Sequence, residues 1–194
     1  MQKITTPRLI LPLMTEDFLE ASLDENYRKA ESLIGLKISP DWFEEKDLAA
    51  IRLDDYRADP SYASWGLRGI GLKSSREMVG YIGFHTSPDA EYLKKFAPHA
   101  IEFGYTVFFN YRRQGFALEA AAGLMNWAKK QYPLENFILS VSPTNSASTA
   151  MVKKLNFEPI GEQIDEVDGL EIVYRLPVEK LLFLNESPRH LRKK

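Results

Sequence analysis

Between a dense apolar run and an alanine-rich stretch the chain reads Asn110-Tyr111-Arg112-Arg113-Gln114-Gly115-Phe116-Ala117. Residues 100–109 are apolar on both faces of an extended chain, and residues 116–131 form a long Ala-rich segment that ends near Pro133. The segment between them is therefore a turn from a central strand into a helix. A helix start leaves four backbone N–H groups without internal partners, and its dipole favours negative charge. Gly115 lets backbone approach an anion closely, and Ala117 keeps that approach open. The chemistry on offer is capture of a diphosphate by main-chain donors. The plain alternative is an ordinary tight loop with glycine at its turn. The pattern is neither G-x-G-x-x-G nor a Walker loop, because no Gly-Lys-Ser/Thr follows.

Composition removes other chemistries. The 194 residues include no cysteine, which excludes disulfides, thiolate zinc sites and a thioester carried on the enzyme. His85, His99 and His190 have no helical ligand spacing, so no metal is expected. Lys+Arg is 25 and Asp+Glu is 27, a balance that offers no global field for nucleic acid or acidic membranes. Nothing approaches the ~18 apolar residues of a signal or span, so a cytoplasmic protein without membrane association is expected. The basic cluster Arg189, His190, Arg192, Lys193 and Lys194 lies in residues 187–194, expected to form a flexible tail.

The positioning elements follow from periodicity. Residues 8–13 read as a strand, with Thr15 capping a helix after it. Residues 24–60 are helical but broken, with Pro40 opening one helix and Leu48, Ile51, Leu53 and Tyr56 on an apolar face. Residues 62–73 and 78–85 predict a hairpin around Ser74-Ser75-Arg76-Glu77. A loop spans 88–100. Residues 137–141 predict a buried strand, and Ser146–Leu155 a helix that ends at Asn156 in a left-handed cap. Residues 157–167 and 170–176 predict a hairpin around Asp168-Gly169. The strand–helix–strand segment 101–141 predicts a parallel pair, while the hairpins add antiparallel strands. One domain over residues 1–194 is expected.

The turn Arg112-x-x-Gly115-x-Ala117 resembles the acyl-CoA diphosphate loop of the GNAT superfamily. Thr6-Pro7-Arg8-Leu9-Ile10-Leu11, Glu102-Phe103-Gly104-Tyr105, Gly115-Phe116-Ala117-Leu118-Glu119-Ala120 and Asn145-Ser146-Ala147-Ser148 followed by Lys154-Leu155-Asn156-Phe157 resemble the RimJ/RimL-like branch in order and spacing. The resemblance implies an α/β (α+β) fold with a mixed, mostly antiparallel seven-strand sheet flanked by helices. It implies acetyl transfer from acetyl-CoA to a primary amine, on a protein N-terminus or a small molecule, without metal. Pro12 departs from the branch, where Arg is usual, and Asn156 replaces Gly.

Roles follow from the same resemblance. The backbone of Arg113, Gln114, Gly115, Phe116, Ala117 and Leu118, with Arg112 before it, would hold the diphosphate. Gly104 inside a strand suggests a bulge or a close backbone approach, or only a packing glycine; the resemblance implies the bulge, with Phe103, Tyr105 and Val107 pairing with the pantetheine amides. Asn145 would help to hold that arm, or serve only as a turn residue. An amine must be neutral to attack, and model values near ~10.4 for Lys and ~8 for an α-amine make a base useful. Glu102 is the candidate base, or else a structural carboxylate. Ser148 would support the departing thiolate, or only its helix; Val152 stands where many relatives place a Tyr. Glu119 would favour the helix start. His85 faces the acceptor or is a plain core residue. Trp42, Phe43 and Tyr56 are available as acceptor walls, and the loop 88–100 carries Tyr92, Lys94, Lys95 and Phe96. The rival classes are an acyl-CoA-binding sensor without catalysis and a generic nucleotide-binding α/β protein.

Overall fold

The computed structural model describes residues 3–165 and 169–184. Eight strands run in the order β1-β2-β3-β4-β5-β6-β8-β7. They are β1 (Ile4–Thr5), β2 (Leu9–Leu11), β3 (Arg68–Leu72), β4 (Met78–Phe84), β5 (Ala100–Val107), β6 (Asn136–Val141), β7 (Glu158–Asp165) and β8 (Gly169–Pro177). The helices are α1 (Glu16–Leu23), α2 (Tyr27–Ile34), α3 (Pro40–Phe43), α4 (Lys46–Ala58), α5 (Phe116–Gln131) and α6 (Ser146–Lys154). Seven strands were expected. The eighth arises because the chain reverses at Thr6-Pro7-Arg8, so that Ile4 and Thr5 pair antiparallel with Leu11 and Ile10.

Among the strands of the described residues, β5 and β6 form the parallel ladder, with α5 as the crossover expected of such a pair. Every other ladder is antiparallel. By its contacts the chain divides into residues 1–87 with 103–124, and residues 88–102 with 125–194. The division passes through β5. Ala100, Ile101 and Glu102 register with Asn136, Phe137 and Ile138 of β6. Phe103 through Val107 register with Phe84 through Gly80 of β4.

Local chemistry sets the ends of the helices. The Thr15 hydroxyl accepts from Phe18 N at 3.4 Å to start α1, and Ser39 caps α3 with Pro40 in its first turn. Asn156 closes the α6 segment at φ 58, the left-handed region that Asn tolerates. In α4, Ala49, Leu53 and Tyr56 are buried at a spacing of four and three. Ile51 lies about 200° around the helix from Ala49 and is 55% exposed, so it leaves the predicted apolar face.

The first unit builds its core where α1, α2, α3 and α4 cover the sheet through Phe18, Leu19, Trp42, Leu53, Tyr56 and Tyr81. Residues 62–64 form a single 3-10 turn rather than the start of a strand. The cause is Tyr62, which turns inward and donates its hydroxyl to Phe84 O at 2.6 Å. The second unit has a smaller core of Leu93, Ala97, Ala100, Ile138 and Val173, with Phe96 and Ile160 packed on it. Its strand β7 carries a register shift between Pro159 and Gly161. Asp168 and the basic tail 187–194 lie outside the described residues.

Candidate active site

The turn before α5 departs from ordinary right-handed backbone. Arg113 and Gly115 both adopt left-handed conformations, at φ 62 and φ 80. Alternation of this kind turns successive N–H groups toward one side. Glycine relieves the strain at Gly115, whereas Arg113 carries it, since a side chain is disfavoured there. Arg112 folds back: its Nε donates to Val107 O at 3.0 Å, and its guanidinium lies 5.6 Å from the Phe109 ring centre. Its side chain therefore braces the turn against β5 and also engages one of the carbonyls expected to pair with a ligand.

A second brace has no signal in local sequence. Arg8 donates through Nε to Glu119 Oε2 at 2.6 Å and through Nη1 to Gln114 O at 3.0 Å. Its guanidinium also sits 4.7 Å from the Phe116 ring centre. Thr6 Oγ1 and the Arg8 backbone N–H both donate to Glu119 Oε1, at 2.6 and 2.7 Å. Burial raises the Glu119 carboxyl. The Thr6 hydroxyl, the Arg8 backbone N–H and the Arg8 guanidinium together outweigh it and hold the group below its ordinary value. Glu119 thus ties the N-terminal turn to the first turn of α5 rather than acting on the helix dipole alone.

On β5 the predicted bulge is not found, and the ladder with β4 keeps its register through Gly83 and Gly104. Glycine serves a close approach instead. A Cβ at Gly104 would stand 2.7 Å from His85 Nε2, so a larger residue would displace the imidazole. His85 therefore lies over the strand two residues beyond Glu102. Phe103 is buried against Phe84, with ring centres 6.3 Å apart.

Glu102 is 2% exposed and anchors a polar chain within the second unit. Tyr92 Oη donates to its Oε2 at 2.7 Å, and Ser140 Oγ donates to its Oε1. Gln163 Nε2 donates both to Ser140 Oγ at 3.0 Å and to Glu171 Oε2 at 3.1 Å. The direction is informative. Because Ser140 accepts from Gln163, its own proton goes to Glu102, and Tyr92 supplies another. Two hydroxyl donors converge on one carboxyl, one at each oxygen. Sequence reasoning placed Glu102 but missed Ser140 and Gln163, which lie on strands distant in sequence.

Asn145 and Ser148 are brought together as a cap. Asn145 Oδ1 accepts from Ser148 N at 3.0 Å, which starts α6. The Asn145 amide nitrogen is left to donate elsewhere. Among the described residues no helix is long and apolar enough to cross a membrane.

Comparison with known proteins accords with this geometry. Residues 8–158 match the family model for the acetyltransferase (GNAT) domain. The chain is 26% identical over 159 residues to YjdG, an uncharacterized N-acetyltransferase of Bacillus subtilis (strain 168), covering 79% of this chain and 88% of that one. A putative GnaT-family acetyltransferase from Bordetella pertussis superposes with a TM-score of 0.65 at 17% identity, covering 90% of this chain and 99% of that one. Mycobacterium smegmatis RimJ, solved with CoA-disulfide, gives a TM-score of 0.60 at 14% identity, over 95% of each chain. These two structures share the fold. The match over residues 8–158, on the strand-to-helix turn just described, identifies the chain as a member of the GNAT acetyltransferase family and an acyl-CoA-dependent N-acyltransferase.

Proposed function

We propose that this enzyme transfers acetyl from acetyl-CoA directly to a primary amine within a ternary complex, with Glu102 as the proton acceptor. The observation that carries the reading is the state of Glu102. It is a buried carboxyl held by two hydroxyl donors and placed two residues before Gly104 on the central strand. A carboxylate so held keeps a basic oxygen inside the protein, where a neutral amine needs one.

The residues present fit the cosubstrate. The backbone N–H groups of residues 113–118 form a turn whose left-handed positions gather donors at a helix start. These donors hold the diphosphate. Backbone groups of Phe103, Tyr105 and Val107 hold the pantetheine amides, and Asn145 steadies the same arm through its amide nitrogen. Ser148 supports the departing thiolate, a modest demand because a thiol of pKa near ~8.5 leaves readily. The amine nitrogen attacks the thioester carbonyl, the C–N bond forms, the C–S bond breaks with its electron pair on sulfur, and the nitrogen proton passes to Glu102. Positioning and fixed dipoles supply most of the acceleration. Cytoplasmic action accords with a cytosolic thioester donor.

The acceptor is a primary amine, with a protein N-terminus one class to be tested. Structural neighbours include a RimL described as a ribosomal L7/L12 alpha-N-protein acetyltransferase and a putative ribosomal-protein-serine acetyltransferase from Vibrio cholerae. The test is CoA release from acetyl-CoA with peptides beginning in Ala or Ser, a peptide offering only a Lys side chain, and a polyamine. Release with at least one amine is expected. Binding of acetyl-CoA without release from any amine would overturn catalysis in favour of a sensor.

A further inference from the structure

Glu102 poses a problem that its burial creates. A base that accepts a proton at every turnover must also return it to water, and this one is 2% exposed. Two of its hydrogen-bond partners differ in what they are free to do. The Ser140 hydroxyl is engaged on both sides, because it accepts from Gln163 while donating to Glu102. Tyr92 leads outward. It is 38% exposed, and its hydroxyl sits 2.7 Å from Glu102 Oε2.

Its position is fixed rather than incidental. Tyr92 lies in the short turn Glu91–Leu93, and the next residue, Leu93, is 1% exposed in the core of the second unit. Leu93 N donates to Ala90 O at 3.0 Å, and Ala97 N returns to Leu93 O at 2.9 Å. The Phe96 ring rests where a Cβ on Gly161 would lie, 3.1 Å away. At the base of the same loop Tyr132 Oη donates to Asp89 Oδ2 at 2.8 Å. The phenol is therefore held against a buried carboxyl by a seated loop, in a residue that is itself exposed.

We propose that Tyr92 is the proton exit of this enzyme, carrying to water the proton that Glu102 takes from the amine. This rests on Glu102 as the base. After attack, Glu102 holds one proton on Oε2. The Tyr92 hydroxyl rotates toward water, accepts the Glu102 proton on Oη and releases its own to solvent. Glu102 is then ionised again, and Tyr92 is a neutral phenol donating to its Oε2. One proton leaves the amine nitrogen, one appears in water, and no charged tyrosine accumulates.

The test is Tyr92→Phe, which removes one oxygen and keeps the ring. The probes are acetyl-CoA and the best acceptor of the amine panel. We expect kcat to fall about tenfold, the low end of proton-transfer effects being set lower here because water can replace the relay in part. Acetyl-CoA affinity is expected to stay within twofold. Added imidazole should restore the variant's rate in a saturable way, while wild type and Ser140→Ala do not respond. A wild-type rate in Tyr92→Phe, or a loss that imidazole does not restore in a variant with an unchanged melt and acetyl-CoA affinity, overturns the relay. If Tyr92→Phe does not fold, the dependence of the wild-type rate on D2O fraction decides. A bowed curve means that two or more protons move together, and a linear curve or no isotope effect overturns the proposal. Glu102→Gln separates the two readings: a wild-type rate in that variant removes the base itself, whereas a slow Glu102→Gln beside a normal Tyr92→Phe removes only the relay.

Discussion

The turn before α5 and the polar chain at Glu102 handle negative charge in opposite ways. At the turn, a carboxylate sits in the first turn of a helix and is matched by a full positive charge, Arg8, whose side chain is 49% exposed. At β5, a carboxylate is buried and met by neutral hydroxyls from Tyr92 and Ser140. The proposed roles account for the contrast. A helix start that is to receive a diphosphate would not offer it an uncompensated carboxylate, and Glu119 carries its own counterion. A carboxylate that is to act as a base would not be locked by a guanidinium, which would hold it ionised and weaken its pull on a proton. Hydroxyls support the anion and also allow the neutral form.

The largest effect should come from placing charge where the turn excludes it. Ala117→Glu sets a carboxylate against the diphosphate site, and such like-charge contact costs several kcal/mol. Acetyl-CoA affinity by calorimetry is expected to fall about 10³-fold, roughly 4 kcal/mol. An unchanged affinity would remove the turn from the binding site.

Next in size is Glu102→Gln, which keeps shape but replaces one acceptor oxygen with a donor nitrogen and removes the basic oxygen. We expect kcat/KM to drop about 10²-fold with acetyl-CoA affinity nearly constant, and the defect to shrink at high pH as more amine is already neutral. Superimposable pH–rate profiles would make Glu102 structural and erase one side of the comparison.

Arg8→Ala should weaken acetyl-CoA about tenfold, near 1.4 kcal/mol, by freeing the Glu119 charge and loosening Gln114. In a Glu119→Gln background the same substitution should cost less than threefold, because no charge is left to neutralise. Equal costs in both backgrounds would show that Arg8 acts only by holding Gln114.

The smallest effect concerns acid stability. Glu119 has a lowered carboxyl value, so its contribution is present above the unfolded value of about 4.3 and lost as pH falls through the lower folded value. The melting-temperature gap between wild type and Glu119→Gln should therefore narrow from pH 6 to pH 3. A gap that is constant over this range would show that the Thr6 and Arg8 contacts do not depend on ionisation.

The contrast also explains what was legible in the sequence. The helix predicted over 116–131 matches α5, because Gly115 before it and Pro133 after it are local signals. Pro40, Asn156 and the parallel pair followed from equally local chemistry. What could not be read were pairings at a distance. Arg8 and Glu119 lie 111 residues apart and Ser140 and Glu102 lie 38 apart, and neither pair has a period or motif linking it. Tyr92 was visible only as an aromatic in an irregular loop. Gly104 suggested a bulge or a close approach, and the structure has the close approach, by the His85 side chain. The candidate site was thus legible as a turn and a carboxylate, while the groups that set their charge were not.

The bend in β7 has a consequence for how molecules of this enzyme meet in crowded solution. An outermost strand offers its open backbone to any passing chain, and straight, apolar borders of this sort seed fibrils. Here Pro159 has no N–H to offer an incoming strand, the shift at Gly161 breaks the straight line, and Glu162 and Asp165 place like charge along the border, while Glu158 is paired with Lys180. These features disfavour alignment of two copies edge to edge.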